Sequence, residues 1–197
     1  NAGNRHSTQC PDILMPASDT EISKFMSYVL RHAPQEIGIS LDSEGWTDYS
    51  AFSRKVRDKF DISDADIRRV IAENPKKRFT LDGDRIRAAQ GHSVDVSLGL
   101  AISQPPEELF HGTTSIAWEA IRLEGLKPMK RTHVHLSPDV ETARMVASRR
   151  KGPHILLTVD TSAMTSQGYS FHVADNGVWL TAMVPPQFLS VLPETKP

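Results

Sequence analysis

The sequence predicts an α+β protein built in two parts, and three observations lead there. Residues 19–75 carry three stretches of helical periodicity, the first and third opened by capping residues and closed by prolines. A cationic β-hairpin signal between Lys76 and Arg87 follows at once. Past Pro105 and Pro106 the pattern changes to short strands alternating with short helices.

The first 17 residues, rich in Asn, Ser, Thr and Pro, read as a mobile tail outside the fold. From Asp19, with Ser18 or Asp19 as cap and Glu21 in the first turn, Ile22, Phe25, Met26, Val29 and Leu30 form one apolar stripe. Pro34 stops that helix. A second helix is expected from Phe52 to Phe60, and a third follows Asp61 or Ser63 and ends before Pro75. Phe79, Leu81 and Ile86 then alternate with polar residues around Asp82-Gly83, the turn chemistry of a two-stranded hairpin. Helices followed by such a wing resemble a winged helix, a fold used to meet nucleic acid. Residues 92–106 read as a short strand and a linker, dividing the chain into 18–98 and 99–197. Beyond them ELFHGT, HVHLS and HILLTVD read as strands, and SIAWEAIRLEGL and VETARMVASRR as helices. YSFHVADNGVWLTAMV reads as a hairpin turning at Asn176-Gly177.

A chain of 197 residues, 39% hydrophobic and 24% charged, is large enough for one sizeable core or two compact ones. Its formal net charge of −1 argues against coating nucleic acid through bulk electrostatics, so an RNA partner must be held by a local cationic patch. Cys10 is the only cysteine, which leaves no internal disulfide or cysteine-based zinc site and fits a cytoplasmic location. No apolar run approaches the roughly 18 residues of a membrane helix, and the first residues lack a signal peptide's apolar core. A soluble cytoplasmic monomer without membrane contact is expected.

Arg31 and His32, in VLRHAP, carry two readings. Cations in a last helical turn complement the helix dipole, by about 0.3–1 kcal/mol each at exposed sites. Successive residues also turn by about 100°, which sets this pair off the apolar stripe and lets it face the neighbouring part. Lys76, Lys77 and Arg78, with Arg85 and Arg87 on the return strand, form either a solvated face or a wing that grips phosphate, with Arg78 aimed inward. HGTT, His111 to Thr114, follows a short strand and precedes a helix, where amides and hydroxyls can meet an anion. His133 and His135 share one strand face, but no Asp, Glu or Cys at ligand spacing completes a metal site, so no metal is expected. Arg149, Arg150 and Lys151 again close a helix, and Trp179 is expected in the core.

In succession, LRH, KRF, HGT, HVHLS, ASRRKGP and NGVWL closely resemble the RNA 2′-phosphotransferase family across residues 22–192. The order is far more specific than any one motif. The resemblance implies an N-terminal winged-helix RNA lobe joined to a C-terminal lobe of the ADP-ribosyltransferase fold. It implies a catalytic quartet on Arg31, His32, Arg78 and Arg149, with Arg150 as rival for the fourth place, and RNA contacts from Lys76, Lys77 and Arg78. An NAD+ site is implied around His111, Gly112, Thr113, His135, Ser137, Asn176, Gly177 and Val178. Ala147 departs from the glycine often found there in the family, and protein-modifying relatives commonly carry Glu where this chain has Val178.

The implied reaction consumes NAD+ in two steps, acting on RNA of the tRNA splice-junction type. The RNA 2′-phosphate attacks the ribose C1″ and expels nicotinamide. The 2″-hydroxyl of ADP-ribose then attacks phosphorus, leaving RNA with a 2′-hydroxyl and ADP-ribose 1″,2″-cyclic phosphate. The resemblance gives Arg149 the orienting role in the first step, and Arg31, His32 and Arg78 the charge at phosphorus in the second, with His32 able to move a proton. Two other readings predict other products. An ADP-ribosyltransferase leaves ADP-ribose on a protein or nucleic-acid end, and a non-enzymatic winged-helix regulator binds RNA without releasing nicotinamide.

Overall fold

A computed structural model describes residues 17–193, so the tail reading lies, apart from Ala17, outside the described residues. Helix α1, Asp19–Arg31, opens on a capping box in which Ser18 Oγ accepts from the Glu21 N–H and the Glu21 carboxylate accepts from the Ser18 N–H. Its buried stripe holds Ile22, Met26, Val29 and Leu30, with Phe25 half-buried edge-on against Phe60. Pro34 both ends this helix and starts a single 3₁₀ turn, Pro34–Ile37. Strand β1, Thr47–Asp48, runs straight into α2, Tyr49–Phe60. That helix begins three residues before Phe52 because the Asp48 carboxylate accepts from the Ala51 N–H at 2.6 Å. Helix α3, Asp64–Ala72, has Ser63 and Asp66 as its capping box.

Strands β2, Phe79–Asp82, and β3, Arg85–Ala88, form the expected hairpin, but its turn is Gly83-Asp84, one residue later than Asp82-Gly83. Gly83 takes the positive φ, +58°, at the first turn position, where a residue with a Cβ is disfavoured. Strand β1 pairs with the other edge of β3, giving an antiparallel sheet β1-β3-β2. The helices bury Phe52, Val56 and Ile67 against Ile86 of this sheet.

Where a short strand was expected within residues 92–106, the chain makes only the isolated antiparallel bridge of Ile102 with His172, and residues 92–98 are irregular. Their amides are used otherwise: Ser93 N–H donates to the Arg31 carbonyl at 3.0 Å and Ser97 N–H to the Ser43 carbonyl at 2.8 Å.

Strand β4, Glu108–Thr114, contains the whole of HGTT, and Thr114 also caps α4, Ser115–Glu124. The strand expected over ELFHGT thus runs one residue further, to the residue that caps the helix. Then follow β5, Val134–Leu136, and α5, Val140–Ala147, which stops at the Ser148 cap before the arginines expected to lie inside it. Strand β6, His154–Asp160, lies between β4 and the last strand, with α6, Thr161–Ser166, after it. Strands β7, His172–Val173, and β8, Trp179–Thr181, pair next to β5, and β9, Leu189–Val191, completes the β4-β6-β9 sheet. The β7–β8 turn is a three-residue loop: Gly177 N–H reaches the Ala174 carbonyl and Ala174 N–H the Val178 carbonyl, with Gly177 at φ +80°. A two-residue Asn-Gly turn was expected.

Helix α5 crosses β4 at an unusually close point. A Cβ on Gly112 would stand 2.2 Å from the Ala143 carbonyl oxygen and 2.8 Å from Ala147 Cβ. Beneath it a second core gathers Leu109, Leu136, Leu157, Val159, Met164 and Phe188, with Trp179 half-buried against it. The whole is an α+β architecture of short helices and small antiparallel sheets. Among the described residues no helix is long and apolar enough to cross a membrane.

Candidate active site

Arg31 ends α1 and His32 is its C-cap. The Arg31 carbonyl is taken by the amides of Ser93 and Val94, and its guanidinium lies over Gly91. Arg31 Nε is buried without a hydrogen-bond partner. Burial, then the charges of Arg78 and Arg131, draw its pKa down to about 10. Arg31 remains a cation at neutral pH, but one whose surroundings ask for an anion. His32 Nδ1 lies 2.8 Å from Ser93 Oγ, and burial, Arg31 and Arg131 all favour its neutral form. At this helix terminus the dipole favours positive charge, whereas burial and the neighbouring guanidiniums oppose it.

Arg78 comes from the base of the hairpin, its carbonyl accepting from the Ala89 N–H and its Nη1 donating to Ser23 Oγ at 2.9 Å. Burial and Arg149 lower its pKa. The chain reaches it through a tight turn in which Lys77 adopts φ +41° and donates its N–H to the Asn74 carbonyl. Lys76 belongs to the same group, its ammonium destabilised first by Arg78, then by burial, Arg149 and Lys24. Arg149, exposed just beyond α5, thus bears on Arg78 and Lys76, whereas Arg150 bears on His111 and Arg131.

Arg85 and Arg87 leave the phosphate-gripping group. Arg85 pairs with Asp82 at 2.8 Å. Arg87 is buried, stacks on Trp46 at 4.4 Å, donates to the Leu98 carbonyl at 2.8 Å and faces Asp175 at 3.5 Å. Both hold the fold.

The histidines on the other side have defined tautomers. His111 Nδ1 lies 3.0 Å from the His135 carbonyl, which can only accept, so the proton is on Nδ1 and Nε2 is bare. Arg131 Nη1, which can only donate, lies 2.7 Å from His135 Nδ1, so the His135 proton is on Nε2. Burial above all, then Arg131 and Arg31, hold the His135 pKa at about 3, and burial likewise lowers that of His111. One neutral imidazole therefore offers an acceptor and the other a donor. Beside them Thr113 is buried, and its hydroxyl has no hydrogen-bond partner among the described residues.

The remaining predicted contacts divide. Gly112 faces α5, and its bare Cα is occupied by packing, not by a ligand. Ser137 exchanges two backbone hydrogen bonds with Phe110, tying the end of β5 to β4. Asn176 Oδ1 accepts from the Val178 N–H, and Gly177 closes the hairpin. Val178 packs against the small cluster of Leu98, Ala174 and Leu180. His133 sets its ring edge-on to that of His172. Among the described residues no three His, Cys, Asp or Glu side chains gather as a metal site would need.

Sequence reading missed three contributors: Ser93, which bonds His32; Asp175, which accepts from Thr80 Oγ1 at 2.6 Å and faces Arg87; and Arg131. Only Arg131 left a signal, a Lys-Arg pair immediately before THVHLS.

Arg31, Arg78, Arg131, Arg149 and Arg150 have no carboxylate within 4.0 Å among the described residues, as is also true of Arg54, Arg57 and Arg144, whereas Arg68, Arg69, Arg85, Arg87 and Arg122 each do. What sets the first five apart is that their charges bear on one another and on the neutral His32, His111 and His135, an arrangement suited to an anion. The chain belongs to the RNA 2′-phosphotransferase, Tpt1 / KptA family, whose model matches residues 17–183. It is 63% identical over 171 residues to a "Probable RNA 2′-phosphotransferase" of Rhizobium rhizogenes, covering 87% of this chain and 92% of that one. A protein of the same description from Rhizobium johnstonii is 56% identical over 172 residues, 87% and 94% of the two chains. One from Burkholderia pseudomallei is 49% identical over 173 residues, 86% and 94%.

Proposed function

We propose that this protein removes a 2′-phosphate from RNA by transferring it to NAD+, through an ADP-ribosylated RNA phosphate, with release of nicotinamide and ADP-ribose 1″,2″-cyclic phosphate. The observation that carries the reading is the set of guanidiniums without carboxylates: Arg31, Arg78 and Arg149 meet from α1, the hairpin and the end of α5, with His32 beside them. A dianionic phosphate that changes partners twice needs charge that does not titrate away, and guanidiniums supply it.

Arg149 is the better fourth member, because its charge falls on Arg78 and Lys76 while that of Arg150 falls on the histidine side. In this reading it orients the phosphate for attack on the ribose. Arg31 and Arg78 then stabilise charge at phosphorus. His32, held neutral, is able to accept a proton from the attacking 2″-hydroxyl. Lys76 and Lys77 hold flanking RNA. In this reading the dinucleotide is held against His111 and His135, which offer an acceptor and a donor. Three helices followed by the β2–β3 wing support the winged-helix assignment of residues 18–98. The sheets and helices of residues 99–197 support an ADP-ribosyltransferase-like lobe.

The test is incubation with NAD+ and a short RNA bearing one internal 2′-phosphate, followed by mass analysis of all products. Dephosphorylated RNA, nicotinamide and the cyclic phosphate are expected. RNA that keeps both ADP-ribose and phosphate as the end product would make this an ADP-ribosyltransferase, and no nicotinamide release would end the reading.

A further inference from the structure

Arg131 stands where the phosphate side and the histidine side of the site meet. Its Nη1 donates to His135 Nδ1, and the His135 carbonyl in turn accepts from His111. Its charge falls on Arg31 and His32 at one end, and Arg150 presses on it from the other. The side chain is exposed, so a ligand can reach it, and no carboxylate lies within 4.0 Å among the described residues. A guanidinium carries five N–H donors in a rigid fork, and one of them meets His135. The others have no hydrogen-bond partner among the described residues, and the nearby charge of Arg150 favours an anion between the two.

Arg31, Arg78 and Arg149 already match the phosphate to be transferred. A dinucleotide brings a second anion, its diphosphate, which needs charge of its own beside the groups that hold the nucleoside. We propose that Arg131, with Arg150 beside it, binds the diphosphate of NAD+, and that the same guanidinium keeps His135 as an Nε2–H donor toward the nucleoside. The inference rests on the NAD+ reading above and adds the residues that receive the charged middle of the molecule. It also gives Arg150 a separate task from Arg149, although the two are neighbours in sequence.

The test is calorimetric binding of ADP, of adenosine and of RNA bearing a 2′-phosphate to wild type, Arg131→Ala and Arg131→Lys. Arg131→Ala should weaken ADP by roughly 10- to 100-fold, the range of a charge-assisted hydrogen-bonded contact, weaken adenosine about tenfold less than ADP through the loosened His135, and leave RNA within about threefold. Arg131→Lys, which keeps the charge if truncation disturbs the loop, should still lose about tenfold in its preference for ADP over adenosine. Equal weakening of ADP and adenosine, or no weakening of either, would overturn the proposal. So would a loss confined to the RNA, which would place Arg131 on the transferred phosphate. Wild type that binds neither ADP nor NAD+ would sink the NAD+ reading and this inference with it.

Discussion

Substituting Gly112 by alanine should disable the enzyme from inside its scaffold. The new methyl group would arrive 2.2 Å from the Ala143 carbonyl oxygen and 2.8 Å from Ala147 Cβ, against about 3.4 Å for ordinary contact. Helix α5 must therefore retreat from β4 by about 1.2 Å, and the nearer obstacle is backbone, which cannot swing aside as a long side chain can. Forcing a methyl group into such a contact costs about 1–3 kcal/mol, a fall in Tm of roughly 3–10 °C for a chain of this size. The functional effect should be larger if, as proposed above, Arg149 just beyond this helix orients the phosphate, since a 1 Å misplacement can cost about 100-fold in rate. Thermal melting and nicotinamide release measure the two separately. Adding Ala147→Gly should recover part of the stability but not all, since it removes the 2.8 Å contact and leaves the 2.2 Å one. A Gly112→Ala protein with wild-type melting and wild-type turnover would refute the packing argument.

Arg31→Ala and Arg78→Ala should each lower 2′-phosphate removal by roughly 100- to 1000-fold with little change in melting, while Arg85→Ala, which loses its exposed pair with Asp82 and its stacking on Trp46, stays within about twofold; single-turnover assays on one RNA compare all three. Acid should destabilise the fold well before its carboxylates titrate. His92 and His135 are held neutral down to about 4 and about 3, whereas in the unfolded chain they take up protons below 6.5, so stability present above pH 6.5 is lost as pH falls toward 4. The loss should reach about 1–2 kcal/mol per histidine at pH 5, as read by urea unfolding, and His92→Leu should flatten the slope. Asp175→Ala strands the buried Arg87 and releases Thr80, and should cost about 1–3 kcal/mol in the same assay.

The helical half of the fold was legible because its signals are local. Ser18 with Glu21 and Ser63 with Asp66 announce helix starts within four residues, and the stripe from Ile22 to Leu30 states which face is buried. Strand ends were harder. Thr114 closes a strand and caps a helix with one side chain, so the strand read over ELFHGT ends one residue later than its own letters suggest. Within the candidate site, Arg31, His32, Arg78 and Arg149 were reached through the order of motifs, not through any motif's own chemistry. Arg85 and Arg87 misled because a cation on a wing reads the same whether it faces solvent or a partner. The deciding partner of Arg87, Asp175, is 88 positions away, and periodicity carries no information over that distance. The role of Arg131 likewise depends on where β5 places His135.

The stretch between the hairpin and β4 has the polar, glycine-containing composition of a tether, yet it is fastened along its length. Arg31 holds it at Ser93 and Val94, Ser43 holds it at Ser97, and Arg87 holds it at Leu98. A shortened version of the protein ending at Ala88 would therefore strip the carbonyl of Arg31, the ring of His32 and the guanidinium of Arg87 of their partners all at once. The smallest autonomous N-terminal piece has to run to Leu98, and grafting a different connector there would disturb the chemistry at the end of α1 before it altered any reach between the halves.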